Sequence, residues 1–364
     1  MDTTTKTEPI SEQQTQEPST KTQVLTPLQE EYRLRIIKTQ FQEWYPYFKK
    51  HSFKAEIIEL SPRFIDYLNQ DGVFLPEQEP EQDSDSDDSQ EEDSKQSKDS
   101  QSINKIQDPE VRQAFLQEVS EIRKRIGRII EKWENGVFVK LNWSAPRDAE
   151  WLNPTFQSIS ADEIFTLLKS SQFVAHDYSC PYHEAIPGFT LPNPHYLIIK
   201  RWHNLNLSME FRVFVKNHTL VGISQRDCTA FYQFLYDEVN NRQIARNISE
   251  FFNNSIKQSM MDYCSEMSDY VIDVYVDVPP KSRVWLIDIN PWIPESVDSL
   301  LFQWDELNQK DLSKIQFDGR IRVVENNGQI MPSDVNQFKV PADFEDMDRM
   351  QEFMKNMNDK VFNQ

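Results

Sequence analysis

The sequence predicts an α+β fold, and three observations carry that expectation. Apolar residues recur at helical spacing after Pro27 and again after Pro109. Beyond Gly136 the apolar runs are strand-like: VFVKLN, HYLIIKRW, EFRVFVK, TLVGIS, YVIDVYVD and RVWLIDIN. EFRVFVK and TLVGIS flank Asn217-His218 closely enough for a hairpin, which favours antiparallel pairing.

Taken in order, residues 1–26 are Thr, Gln, Glu and Ser, too polar to offset the cost of ordering, and are expected to be disordered. From Pro27, the residues Leu28, Tyr32, Ile36 or Ile37, Phe41 and Trp44 line one face of an amphipathic helix expected to end near Pro46. AEIIEL reads as a strand and PRFIDYLNQ as a helix. Residues 77–104 then collapse into acids and serines. The plainer reading of that stretch is a solvated, self-repelling insertion. Asp83, Asp85, Asp87, Asp88, Glu91, Glu92 and Asp93 would also suit a basic partner, and Ser84 and Ser89 have acids three residues on, as an acid-directed kinase requires. Asp108 next reads as an N-cap with Pro109 at the first helical position. Val111, Phe115, Val119, Ile122, Ile126, Ile129, Ile130 and Trp133 continue the core-facing stripe until Asn135-Gly136 closes the helix. Further helices are expected near 161–170 and 238–257. After Leu307, RIRVVENN is a candidate strand, and FEDMDRMQEFMKNMND a Met-rich amphipathic helix that packs on a domain more often than it receives a partner. The chain thus divides into a tail (1–26), a first lobe (27–197) with its acidic insertion, a second lobe (198–310) and a C-terminal strand and helix (311–364).

Composition removes most alternatives. A chain of 364 residues with 38% hydrophobic content and 23 Phe buries a sizeable core in one large or two smaller lobes. A formal charge of −20 argues against nucleic acid as the main ligand, because phosphate contacts need concentrated Lys and Arg, although it leaves room for local basic patches. Cys180, Cys228 and Cys264 have no paired spacing and suit reduced thiols. No window approaches a membrane span and the first residues have no apolar core, so neither export nor membrane insertion is expected, and the reduced thiols suit the cytosol or nucleus. The glycines at 72, 127, 136, 188, 222, 319 and 328 form no GxGxxG turn, no Walker-type loop and no GxSxG elbow. Cys180 and His183 lack a second pair to complete a zinc tetrahedron and read as loop residues.

What remain are polar residues in or next to strands. Lys140 ends an apolar run and is followed by Asn142, Trp143, Ser144 and Arg147 in a turn containing Pro146. A strand lysine with a turn arginine can cradle phosphates without glycines, although surface cations at a loop are the commoner case. Lys200, Arg201 and Trp202 likewise stand where HYLIIKRW stops, able to border a purine or to reach into solvent. In RVWLIDIN, strict alternation puts Leu286, Asp288 and Asn290 on one side. Asp273 interrupts YVIDVYVD in the same manner. A buried carboxylate must be met by something, whether a metal, a basic partner or water at the sheet edge; if the two strands are neighbours, three oxygen donors converge, which suits magnesium. Asn290 precedes Pro291 and has an alternative role in simply closing the strand.

KLNWSAPRDAEW, FRVFVKN followed by LVGISQRD, and VWLIDINPW with DSLLFQW after it resemble the signature blocks of the cell division cycle protein 123 family. The resemblance runs in order from QFQEWYPYFKK to about Leu307. It implies an ATP-grasp fold, in which two α+β lobes hold ATP and Mg2+ between them. It also implies a cytoplasmic assembly factor, expected as a monomer, that binds the third domain of the gamma subunit of eukaryotic translation initiation factor 2 and promotes joining of that factor's subunits. Carried over by position, Lys140 becomes a phosphate ligand, with Trp143, Ala145 and Arg147 in the loop beside the nucleotide. Lys200, Arg201 and Trp202 match the hinge that borders adenine. The family's hinge more often reads Arg-Lys-Trp, so the carry-over there rests on backbone contacts. Glu210 and Arg212 fall within reach of ribose or phosphate, and Asp273, Asp288 and Asn290 match the magnesium ligands.

ATP-grasp proteins are commonly ligases that pass through an acyl phosphate, which requires a second pocket to orient a carboxylate. No such pocket is legible in the sequence, so a nucleotide-dependent assembly chaperone leads, with turnover of ATP left open. A carboxylate ligase and an acidic interaction protein without nucleotide are the alternatives.

Overall fold

The computed structural model describes residues 25–69, 109–190, 194–309 and 317–331. The polar tail up to residue 24, the acidic insertion, Asp108 and the Met-rich C-terminal segment lie outside the described residues. Helix α1 (Pro27–Lys38) opens on a capping box in which Gln29 N–H donates to Thr26 Oγ1 at 3.2 Å and Thr26 N–H to Gln29 Oε1 at 3.0 Å. The stripe expected to form one helix is divided into two. Phe41 N–H donates to Asn142 O at 2.9 Å and Asn142 Nδ2 to Gln40 Oε1 at 2.7 Å. These long-range bonds accompany a break at Thr39-Gln40, and α2 (Phe41–Phe48) then carries Pro46 inside it.

Strands β1 (Ala55–Leu60), β2 (Val137–Lys140) and β3 (His195–Arg201) form an antiparallel sheet in the order β1-β3-β2. The helices α3 (Pro62–Leu68), α4 (Pro109–Trp133), α5 (Ala161–Lys169) and α6 (Gln172–Ser179) follow the apolar stripes of their sequences. Phe64, Phe115, Ile126, Trp133 and Phe165 bury Val137, Val139, Leu197 and Ile199 on one face of the sheet. Because side chains alternate, Lys140 and Lys200 leave by the opposite face.

A second antiparallel sheet consists of β4 (Glu210–Lys216), β5 (Thr219–Gln225), β6 (Tyr270–Val276) and β7 (Val284–Pro291), in the order β5-β4-β6-β7. Asn217 and His218 adopt φ of 49° and 54°, the positive values that a tight β4–β5 hairpin turn demands. Between β5 and β6 lie the short α7 (Gln233–Tyr236), then α8 (Glu238–Phe251), a π-helical turn (Phe252–Ile256) and α9 (Lys257–Tyr263). One face of the sheet, with Phe211, Val213, Ile272 and Leu286, packs on Ile248, Phe252 and Ile256, and on Trp44 and Phe48 of α2. The N-terminal helix pair therefore serves the second sheet, and β3 runs unbroken across the boundary expected at 197/198.

The two sheets are joined where Ser52, just before β1, forms a parallel bridge to Leu286 of β7. RIRVVENN forms no full strand. It touches β5 through one bridge, Ser224 to Arg322; beyond it Val324 N–H donates to the Gln225 side chain at 3.1 Å, and on the other side Asn241 takes both Ile321 N–H (2.8 Å) and Ile321 O (2.9 Å) with its side chain. A last short helix, α10 (Trp304–Leu307), covers the other face of the second sheet. All three cysteines are free, and no described helix is long and apolar enough to cross a membrane.

Candidate functional site

The strands of the second sheet decide which polar groups meet. Asp273 of β6 lies opposite Arg212 of β4 and opposite Asp288 of β7, so all three side chains share one face. Asn290, opposite Val271, joins them. Strict alternation along β7 fails at one point. The register shifts between Asp273 and Val274, which leaves Ile287 as the extra residue of a bulge. Leu286 and Ile289 are consequently both in the core, while Asp288 and Asn290 stay on the polar face. Leu286, expected beside Asp288, points the other way.

Two hydrogen-bonded groups make up the site. In the first, Arg212 grips Asp273 with Nε and Nη2, each at 2.8 Å, and donates to Asp298 O through Nη1 at 2.8 Å. Arg226 adds an ion pair to Asp273 at 3.7 Å, and Asn290 Nδ2 donates to Asp273 Oδ2 at 3.1 Å. Burial by itself would raise the Asp273 pKa, but Arg212, Arg226 and the Asn290 bond outweigh it and hold the carboxyl at about 2. In the second, Lys140 pairs with Asp288, and Lys200 Nζ donates to Ile287 O at 3.0 Å. Both ammonium groups lie over the ring of Phe41, at 5.6 and 5.0 Å. Burial, with Lys140 adding to it, lowers Lys200 to about 8. The lysines of one sheet thus reach the bulge of the other.

The turn after Lys140 is pinned by a buried carboxylate. Asp177 of α6 accepts from Trp143 N–H at 3.1 Å, Ser144 N–H at 2.8 Å and Ser144 Oγ at 2.7 Å. Burial pushes its pKa upward against those bonds. The Trp143 indole donates to Ile36 O at 3.2 Å and meets Tyr182 edge-on, so this side chain is engaged with α1 and the loop around Tyr182. Ala145 is half-buried. Arg147 is exposed, yet its charge reaches Glu210 and Arg226. Glu210 shares the face of Arg212, and burial raises its pKa against the pull of Arg226 and Arg147. At the end of β3, Arg201 is half-buried, and Trp202 donates from its indole to Thr155 O at 3.1 Å.

Lys140, Lys200, Arg212, Asp273, Asp288 and Asn290 therefore converge, with Glu210 and Arg147 at the margin, whereas the indoles of Trp143 and Trp202 are bonded to loop or helix carbonyls. Arg226, Phe41 and Asp177 were missed by sequence reasoning. Arg226 carried a usable signal, since it follows the apolar TLVGIS as Lys140 follows VFV. Phe41 looked like ordinary helix core, and Asp177 sits in a helix with no pattern around it.

Among the described residues, no three His, Cys, Asp or Glu side chains gather closely enough to hold a metal ion. Asp273, Asp288 and the amide oxygen of Asn290 nevertheless form a hard-oxygen set on one face, and Asn290 Oδ1 accepts no hydrogen bond among the described residues. That donor chemistry fits Mg2+ completed by water and by an anionic ligand.

Comparison with known proteins shows the family. The chain matches the family described as D123 over residues 44–348. It is 34% identical over 324 residues to the Translation initiation factor eIF2 assembly protein of Xenopus tropicalis, covering 86% of this chain and 91% of that one. The protein of the same name from Aspergillus niger is 36% identical over 292 residues, covering 76% and 71%. Among solved structures, C-terminally truncated Cdc123 from Schizosaccharomyces pombe superposes with a TM-score of 0.57 at 28% identity, covering 83% of this chain and 99% of that one. Extensive identity and a shared α+β architecture point the same way, and the chain belongs to the D123 family, that of Cdc123.

Proposed function

We propose that this chain is an ATP-binding assembly factor for eukaryotic translation initiation factor 2, working in the cytoplasm with ATP and Mg2+ held between two ATP-grasp lobes. The names of its relatives support the assembly role. One observation carries the nucleotide reading. At the junction of the two sheets, Lys140 and Lys200 of the first sheet meet Arg212 and Arg226 of the second around Asp273 and Asp288, in a chain whose formal charge is −20. Such a gathering of cations from both sheets suits a polyanion.

In this reading Lys140 and Lys200 bind phosphate oxygens, and Lys140 exchanges its bond to Asp288 for one to the nucleotide. Asp273, Asp288 and Asn290 hold the magnesium ion, which neutralises charge on the phosphates. Arg212 keeps Asp273 ionised and oriented. The backbone of Lys200, Arg201 and Trp202 borders adenine, and Glu210 lies toward the ribose. Joining the lobes through a bound nucleotide fixes their relative orientation, which presents one surface to the third domain of the gamma subunit.

A pull-down with the gamma subunit, with and without ATP and Mg2+, tests the reading together with Asp288→Ala in cells carrying it as their only copy. Capture strengthened by nucleotide and impaired assembly of the factor are expected. Normal assembly in the variant cells overturns the role given to Asp288.

A further inference from the structure

Outside the nucleotide site, the fold brings together two short cationic segments that are far apart in the sequence: KKHSFK (49–54), between α2 and β1, and PPKSRVW (279–285), leading into β7. Leu286 N–H donates to His51 O at 2.8 Å, Ser52 bridges to Leu286, and Arg283 Nη2 donates to Lys50 O at 3.4 Å. The end of β3 closes the third side, where Arg201 N–H donates to Lys54 O at 2.9 Å. Lys49, Lys50, Lys54, Lys281 and Arg283 are all exposed. Their fields overlap: beyond burial, Arg283 and Lys50 lower the pKa of His51, and Arg201 that of His203. The acids nearby are engaged. Asp277 accepts from the Trp285 indole at 3.2 Å, and Glu56 is paired with Lys132 at 2.8 Å.

We infer that this surface docks an acidic polypeptide segment of a partner protein. Carboxylates supply the negative charge that the clustered lysines call for, and the exposed Val278, next to Pro279, gives the rim an apolar component. Single-stranded RNA fits less well. Arg283 covers one side of Trp285, its guanidinium carbon 3.6 Å from the ring centroid, and Phe53 stacks on the indole with centroids 5.3 Å apart at 15°. Base stacking needs an open aromatic face, which this sandwich does not offer. The stack instead orients the guanidinium, whose planar fork suits carboxylates. The inference is independent of the nucleotide reading, since none of these exposed cations belongs to the nucleotide site.

Fluorescence anisotropy of a labelled oligoglutamate peptide with the full chain, at low and at physiological salt, tests it. Binding that weakens with salt is expected, and reversal of exposed charges in Lys49→Glu, Lys50→Glu and Lys281→Glu together should reduce affinity by about tenfold or more. Reversal of the exposed Lys124 and Arg128 on α4 to Glu should change it by less than about twofold. Equal losses in the two sets, or no loss in the first, overturn the proposal. Tighter binding of labelled oligouridylate than of the peptide assigns the surface to RNA instead. Peptide binding that appears only after deletion of residues 77–104 assigns it to the chain's own acidic stretch, and either result overturns the proposal.

Discussion

One face of the second sheet has two halves of opposite character. At one end Phe214, Val271, Trp292 and Phe302 form a closed apolar cluster, with Phe214 and Phe302 centroids 5.2 Å apart and Trp292 and Trp304 5.1 Å apart. Two residues along the same strands, Arg212 replaces Phe214 and Asp273 replaces Val271, and the face becomes charged. The apolar half gains from being filled, whereas the charged half gains only while every charge keeps a partner. Strands of similar composition can therefore serve packing at one end and hold a network of paired charges at the other, and the boundary falls at the Val271–Asn290 pair.

The largest effect expected comes from breaking the charged half. Arg212→Met leaves Asp273 buried with its main partner gone, which should lower stability by ~3–5 kcal/mol in urea unfolding. Adding Asp273→Leu should restore a substantial part, because the uncompensated charge is then absent. A double variant no more stable than the single one would show that packing, not charge pairing, governs this half.

A titration sharpens the same contrast. Lys200 is lowered to about 8 from 10.5 by burial, with Lys140 adding to the effect. The charged form is the penalised one, so the penalty is fully present below about pH 8 and fades as pH rises toward 10.5. Over that window the unfolded chain binds more protons than the folded one, and stability should rise with pH by on the order of 3 kcal/mol relative to Lys200→Met. A stability difference between the two proteins that stays flat from pH 7 to 10.5 would contradict the assignment.

The apolar half should respond to volume alone. A Cβ added at Gly222 would lie 2.6 Å from the Phe302 ring. Gly222→Ala should therefore cost ~1–3 kcal/mol through overpacking, and leave any nucleotide affinity of the folded protein unchanged. Loss of affinity equal to that of a charged-half variant would mean that the two halves are not separable.

The apolar strands, the hairpin at Asn217-His218 and the long α4 were legible because each is governed by local periodicity or turn chemistry. The break at Thr39-Gln40 was not, since it coincides with bonds to Asn142, a residue that the chain meets only after folding. The bulge at Ile287 was equally hidden. Nothing in RVWLIDIN distinguishes a strict alternation from one with an added residue, although the facing of Leu286 depends on it. In the candidate site, charges interrupting apolar strands were visible, and the roles that the family resemblance gives them are proposals. That Lys140 reaches Asp288, and that Arg212 and Arg226 share Asp273, required the register of β4, β6 and β7.

The central claim is that the junction of the two sheets binds ATP with Mg2+, and titration calorimetry of the full chain tests it most directly. Saturable binding of ATP that needs Mg2+, and that is lost in Lys140→Ala while that variant still unfolds cooperatively, is the expected result. No heat of binding to the folded wild-type protein across the soluble range of ATP and Mg2+, or binding undiminished in Lys140→Ala, would contradict it.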